Sequence, residues 1–221
     1  MIPDSNSVLR NFQKYPIVFE LAGSFAMWTD PSTTPCPDSF PIPPYASIKG
    51  IFDNISKIRT ATTVPIKIEI CSPIKKETFT YNSKSPLVNE KKNPETKNIT
   101  RTTQIKMNIL RNVVYRVYAT TYKTMSTFEI EKRFQGINAL HALQSIIMRQ
   151  IKKGQSWGDL FMGQKMFPVN YIGDFREGFK VQEEINMYIP SFPIIHYEQD
   201  GTQIISPNSC TIINGVYHYV K

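Results

Sequence analysis

The sequence predicts an α+β fold with a ferredoxin-like βαββαβ order, and three observations carry that prediction. Residues 46–58 and 134–153 keep the apolar spacing of helices. The segments around them are rich in β-branched and aromatic residues, as strands are. The elements then follow one another as strand, helix, strand, strand, helix and short strand, the split-βαβ pattern.

Each element has its own signal. Residues 17–22, IVFELA, read as the first strand, with Gly23 as a breaker. Six prolines follow (Pro31, Pro35, Pro37, Pro41, Pro43, Pro44), and their missing backbone donors make this an extended connection. In residues 46–58, Ile48, Ile51, Phe52, Ile55 and Ile58 share one helical face. Ser47 is the candidate N-cap, and Lys57 and Arg59 suit the negative end of the dipole. Residues 64–71 alternate Ile66, Ile68 and Ile70 with Lys67 and Glu69, a strand with one wet face. Residues 104–122 read as one long strand. The second helix, 134–153, carries Ile137, Leu140, Leu143, Ile147 and Ile151, with Lys152 and Lys153 at its end and Gly154 as its stop. A Gly-bearing loop leads to a short apolar piece near 161–169. From 179 to 220 come short strand candidates separated by Asp200-Gly201, Pro207-Asn208 and Asn214-Gly215, which are hairpin signals. We therefore divide the chain into a core at 1–176 and a β-rich extension at 177–221.

At 221 residues and 41% hydrophobic, the chain has material for one sizeable core. No apolar run nears the roughly 20 residues that cross a bilayer, and the N-terminus lacks a basic region followed by an apolar stretch. Cys36, Cys71 and Cys210 are widely spaced and match no metal-site pattern, so free thiols in a cytoplasmic setting are expected.

The net charge of +8 is concentrated. Between Lys75 and Arg111 lie nine basic residues (Lys75, Lys76, Lys84, Lys91, Lys92, Lys97, Arg101, Lys106, Arg111) and three acids. A polyanion fits such a segment; so does a plain solvated loop. At about 30 residues, 72–103 is too long for a simple turn, and long connections of this kind are usually functional or mobile. The long strand interleaves Lys106, Arg111, Tyr115, Arg116 and Tyr118, a pattern that serves RNA-binding sheets through stacking and phosphate contacts, or that fills a core with tyrosines.

Sites for other chemistry are sparse. There is no phosphate loop, no HExxH, no CxxC pair and no GxSxG, so no metal or other cofactor is expected. His196 and His218 stand beside tyrosines in strand-like segments. His141, beside Leu140 and near Leu143, is structural or catalytic.

Four stretches together carry a resemblance: IVFELAGSFAMWTDP at 17–31, FPIPPYASIKGIFDNI at 40–55, ILRNVVYRVYA at 109–119 and KKGQSWGDLFMGQKMFP at 152–168. In order and wording they are similar to the Cas-five family of CRISPR proteins, with Lys49-Gly50 at that family's K/R-G step. The resemblance implies a RAMP-superfamily, RRM-like core with a β-hairpin thumb between the second and third core strands, where 72–103 falls. It implies a subunit of a type I Cascade complex that grips the 5′ handle of the CRISPR RNA. Its neighbours would be the adjacent backbone subunit and the large subunit, with target DNA only indirectly engaged.

In the I-C subtype such a protein also cuts precursor RNA without metal, using a tyrosine at the end of the first helix and a Lys-His pair in the second. Ser56, Ala142 and Leu143 stand at those positions, so the resemblance implies binding without catalysis. The alternative is a metal-independent endoribonuclease with a rearranged set such as His141, Tyr45 and a lysine. The expected RNA-binding residues are Lys49, Lys57, Arg59, Arg101, Lys106, Arg111 and Arg116, with Lys91 and Lys92 on the thumb and Tyr45 and Tyr115 as stacking partners.

Overall fold

The computed structural model describes residues 5–33, 36–58, 60–84, 102–133, 136, 138–197 and 203–220. In chain order these form α1 (Ser5–Lys14), β1 (Pro16–Ala26), α2 (Tyr45–Ile55), β2 (Ala61–Ile70), β3 (Lys76–Lys84), β4 (Thr102–Lys123), α3 (Met125–Arg133), α4 (Ala139–Lys152), β5 (Tyr171–Gly173), β6 (Met187–Tyr197), β7 (Gln203–Ile212) and β8 (Val216–His218).

The central sheet has the order β5-β1-β4-β2-β8. Its described pairings are antiparallel. With β5 as the fourth core strand, β1, β4, β2 and β5 reproduce the strand order of the split βαβ motif, so the βαββαβ prediction holds. β4 organises the sheet. Its second half lies between β1, with Leu21 opposite Tyr115, and β2, with Ile70 opposite Tyr115. Its first half pairs with β3 from Lys76↔Leu110 to Lys84↔Thr102. Asn112 takes a left-handed φ of 51° where β4 exchanges β2 for β3, a conformation asparagine tolerates better than most residues.

α2 and α4 contribute to one core with the inward residues of the sheet. Ile48, Ile51, Phe52 and Ile55 of α2 meet Phe19 of β1 and Leu143, Ile147 and Ile151 of α4 in a single buried cluster. Phe19 and Phe52 touch edge to face at 5.5 Å. Tyr217 of β8, Phe192 of β6 and Cys210 and Ile212 of β7 belong to the same cluster, so the segment after 177 is built into the core. β8 also extends the central sheet, with Ile68 opposite Tyr217.

Several boundaries differ from expectation for local reasons. β1 runs through Gly23; a Cβ there would meet Met162 Cγ at 2.8 Å, so the glycine serves a close approach and not a break. α2 starts directly after Pro44, and Ser47 lies inside the helix rather than capping it; Pro44 supplies no side-chain cap. α2 ends at Ile55, with Ser56 extended, so Lys57 lies beyond the last turn. The helix expected at 134–153 starts later, as α4 at Ala139, after Gly136 at φ 88°, and a separate helix, α3, which was not expected, precedes it at Met125–Arg133. Asn138 caps α4 by accepting a hydrogen bond from the His141 amide at 3.1 Å. The short strand expected near 161–169 is a lone bridge, Phe161↔Pro168, and the paired strand is β5 just after it. α1 was not foreseen; its Val8 is fully buried against Val64 and Ile66.

In the tail, β6 and β7 form the hairpin that Asp200-Gly201 signalled, though that dipeptide lies outside the described residues. Pro207-Asn208 sits inside β7 rather than at a turn, with Pro207 opposite Pro193. Asn214-Gly215 is a turn, both residues having positive φ, as the type I′ geometry requires.

Candidate nucleic-acid interface

The basic hairpin is the most exposed part of the expected site. β3 and the first half of β4 form its described part, and residues 85–101 lie outside the description, so Arg101, Lys91 and Lys92 fall there. Lys106 stands opposite Thr80 and is exposed. Arg111, at the root of the hairpin, is exposed and reaches Glu77 at 3.3 Å. Lys76 pairs with Asp38 at 2.5 Å, which ties the hairpin root to the Pro-rich connection. Exposed pairs of this kind stabilise little and remain available to a competing phosphate.

The α2 side contributes Lys49 and Lys57. Lys49 pairs with Asp53 one turn on, at 2.7 Å. Lys57 is exposed after the helix end, and Arg59 lies outside the described residues.

Of the two expected stacking partners, Tyr115 is in the core and Tyr45 is half-buried. Tyr115 is 1% exposed and lies in the core, where its hydroxyl donates to the Pro41 carbonyl at 2.7 Å and accepts from Trp28 Nε1 at 3.3 Å. Burial pushes its pKa well above the ordinary tyrosine value. A ring with both faces packed cannot stack on a base, so Tyr115 leaves the site. Tyr45 packs edge to face on Tyr219 at 6.1 Å, beside the Val8, Val64 and Ile66 cluster. Burial, and then the nearby Asp53 charge, push its pKa up to about 12.

Arg116 is likewise a structural cation. It faces the opposite side of β4 from Tyr115, donates through Nη2 to the Phe179 carbonyl at 2.6 Å and lies 4.4 Å from the Phe175 ring. Its cross-strand neighbours are Glu20 on β1 and Glu69 on β2, a transverse row of opposite charges. Glu20, with a fully buried side chain, accepts from Arg176 Nε at 2.5 Å and from the Arg176 amide at 3.2 Å. Glu69 accepts from Lys67 at 2.7 Å and from the Tyr118 hydroxyl at 2.9 Å. Lys67 lies 4.0 Å from the Tyr118 ring centre. This face of the sheet is thus filled by its own salt bridges and by residues 171–181. Burial and the neighbouring Lys67 hold the pKa of His218 below the ordinary value.

Sequence reading missed this row because Glu20 sits in an apolar run and its partner Arg176 is far along the chain. It also missed Trp157. Trp157 is 70% exposed, and its amide donates to the Asn54 carbonyl at the end of α2, at 3.0 Å. An aromatic next to the Lys152-Lys153 step was the available signal.

The nuclease positions hold no matching chemistry. Ser56 is buried with its hydroxyl unpartnered, Leu143 is buried in the core, and Ala142 is exposed. His141 is exposed near the start of α4, and no hydrogen bond or ring contact joins it to Tyr45. Among the described residues, no group of three or more His, Cys, Asp or Glu side chains is arranged to hold a metal ion. Cys36 is an exposed thiol, and Cys71 and Cys210 are buried. No helix among the described residues is long and apolar enough to cross a membrane.

No family model and no curated protein matches the sequence. Solved structures do match the fold. A CRISPR-associated protein and a functionally uncharacterized protein from Streptococcus mutans each superpose with a TM-score of 0.64 at 16% identity, over 92% of this chain and 91% of theirs. A chain of a CRISPR RNA-guided surveillance complex superposes at 0.49 with 12% identity, over 88% of this chain and 87% of that one. The α+β fold of this chain is therefore one that a CRISPR-associated protein of known structure also adopts.

Proposed function

We propose that the chain is a non-catalytic RNA-binding subunit of a type I Cascade effector, a cytoplasmic Cas-five-like member of the RAMP superfamily. It holds the 5′ handle of the CRISPR RNA and caps the backbone filament, beside the large subunit. The observation that carries this reading is the β3–β4 hairpin. It is inserted between the second and third core strands, and it lies in the segment that holds nine of the chain's basic residues. The shared fold of a CRISPR-associated protein supports the same reading. Sequence reading of target DNA is left to base pairing with the guide.

The site chemistry supports binding without cleavage. Metal-free cleavage needs a base for the 2′-hydroxyl and an acid for the leaving oxygen. Ser56, Ala142 and Leu143 supply neither, and Tyr45 is fixed in packing. The test is incubation of the pure protein with labelled CRISPR repeat RNA in EDTA. A retained complex with intact RNA is expected. A single discrete cut, lost in His141→Ala, would establish the endoribonuclease instead, and absence of binding at low salt would overturn the RNA-binding reading itself.

A further inference from the structure

Beside α2 lies a cleft of about 210 Å³, lined by Trp28, Ser47, Gly50, Ile51, Asn54, Phe161 and Gly163. That is smaller than the roughly 300 Å³ or more of a drug-sized site and suits a single planar ring. The wall opposite α2 is the loop that follows α4. It is held at both ends: the Trp157 amide donates to the Asn54 carbonyl at 3.0 Å, and the Met27 amide donates to the Met162 carbonyl at 2.9 Å. At Gly163, φ is 93° and an added Cβ would lie 1.9 Å from the Met27 carbonyl oxygen, so the loop backbone lies against the β1 end.

Two residues here have no explanation in packing. Gly50 is inside α2 without a positive φ, and an added Cβ would meet nothing within 4 Å. Glycine is the worst ordinary residue for a helix interior, and neither close packing nor backbone geometry asks for it here. Its effect is to leave bare backbone on the cleft wall. Trp157, at the Asn54 end of the cleft, is 70% exposed although its own backbone is pinned. An exposed indole on an anchored backbone offers a face on which a base can stack. Close in sequence to the two walls, Lys57, Lys152, Lys153 and Lys165 are exposed, against the exposed acids Asp159 and Asp53, the latter paired with Lys49. Cations around an exposed indole suit single-stranded nucleic acid, whose bases stack and whose phosphates need neutralising.

We infer that the cleft between α2 and residues 157–163 is a nucleobase pocket, in which one base of a bound single-stranded RNA enters over Gly50 while its neighbour stacks on Trp157. The inference rests on the RNA-binding reading above and adds to it a place and a mode of base capture. The chain has two tryptophans, and Trp28 is 1% exposed, so intrinsic fluorescence separates them. Titrating the protein with CRISPR repeat RNA and with a uridine homopolymer should quench the Trp157 emission, and Trp157→Phe gives the Trp28 background. Trp157→Ala should weaken binding about tenfold, with Trp157→Phe retaining most of the affinity. Gly50→Ala should fold at least as well as the parent, and Gly50→Leu should fill the cleft and weaken binding by a similar factor. RNA that binds without quenching Trp157, and with parental affinity in Trp157→Ala and Gly50→Leu, overturns the pocket and leaves the RNA-binding reading standing. RNA that fails to bind the parent protein overturns both.

Discussion

The hydroxyl of Tyr115 in the long strand β4 donates to the backbone carbonyl of Pro41, 2.7 Å away, across the core. The Pro-rich connection makes few backbone bonds of its own, since prolines donate none, so its carbonyls must be met by donors from elsewhere. Tyr115 meets Pro41, and Tyr219 meets Pro43 at 2.6 Å. These two tyrosines fix the route into α2, whose first residue follows Pro44 directly. The candidate pocket on α2 therefore depends on a loop anchored from the far side of the core.

Tyr115→Phe removes the donor to Pro41 and the acceptor for Trp28 Nε1, leaving two buried groups unpaired. The expected loss of stability is about 2 kcal/mol or more, read as a fall in the urea midpoint with an unchanged slope. RNA affinity measured on the folded variant should stay at the parental value, because the ring is in the core and not on the binding surface.

The Glu20–Arg176 pair gives a directional prediction. Glu20 has a fully buried side chain, whereas the Arg176 side chain is 36% exposed. Removing Arg176 strands a carboxylate in the sheet; removing Glu20 frees a guanidinium that can turn to water. Breaking a buried pair from one side costs about 3–5 kcal/mol, so Arg176→Met should approach that range and Glu20→Gln should cost less. Equal losses in urea unfolding would show that Glu20 reaches water in the variant or that Arg176 contributes nothing there.

The parts of the fold set by local period were legible. Ile48, Ile51, Phe52 and Ile55 announced α2, and Leu143, Ile147 and Ile151 announced α4, because each repeats on one helical face. Parts set by tertiary contact were not. Gly23 reads as a breaker until Met162 is seen against it. α1 is short and mostly polar and buries only Val8, so little in it announced a packed helix. The same division holds for the site. Lys57 and Lys106, proposed for the RNA-binding surface from their charge and place, are exposed. Tyr115 and Arg116 were assigned to the surface because strand alternation does not say which face is covered, and here residues 171–181 cover the second face. Trp157 was passed over because exposure of an aromatic is visible only in three dimensions.

The last prediction separates binding cations from structural ones by their salt dependence. Lys57 and Lys106 are exposed, lie on the α2 side and on the hairpin, and hold no ion pair among the described residues. Each phosphate they neutralise releases counterions, so each should contribute about 0.7 log units of affinity per decade of salt for a single strand. Lys57→Glu and Lys106→Glu should therefore lower both the RNA affinity and the salt slope, with the melting temperature unchanged. Arg116→Ala should do the reverse. It loses the bond to the Phe179 carbonyl and the contact with Phe175, so stability falls while the salt slope stays near the parental value. Arg111→Glu lies between, since Arg111 must leave Glu77 to meet a phosphate and its substitution also sets two acids side by side. The measurement is RNA affinity at several salt concentrations beside thermal unfolding for the four variants. A parental slope in both lysine variants would move the RNA off the surface that joins α2 to the β3–β4 hairpin.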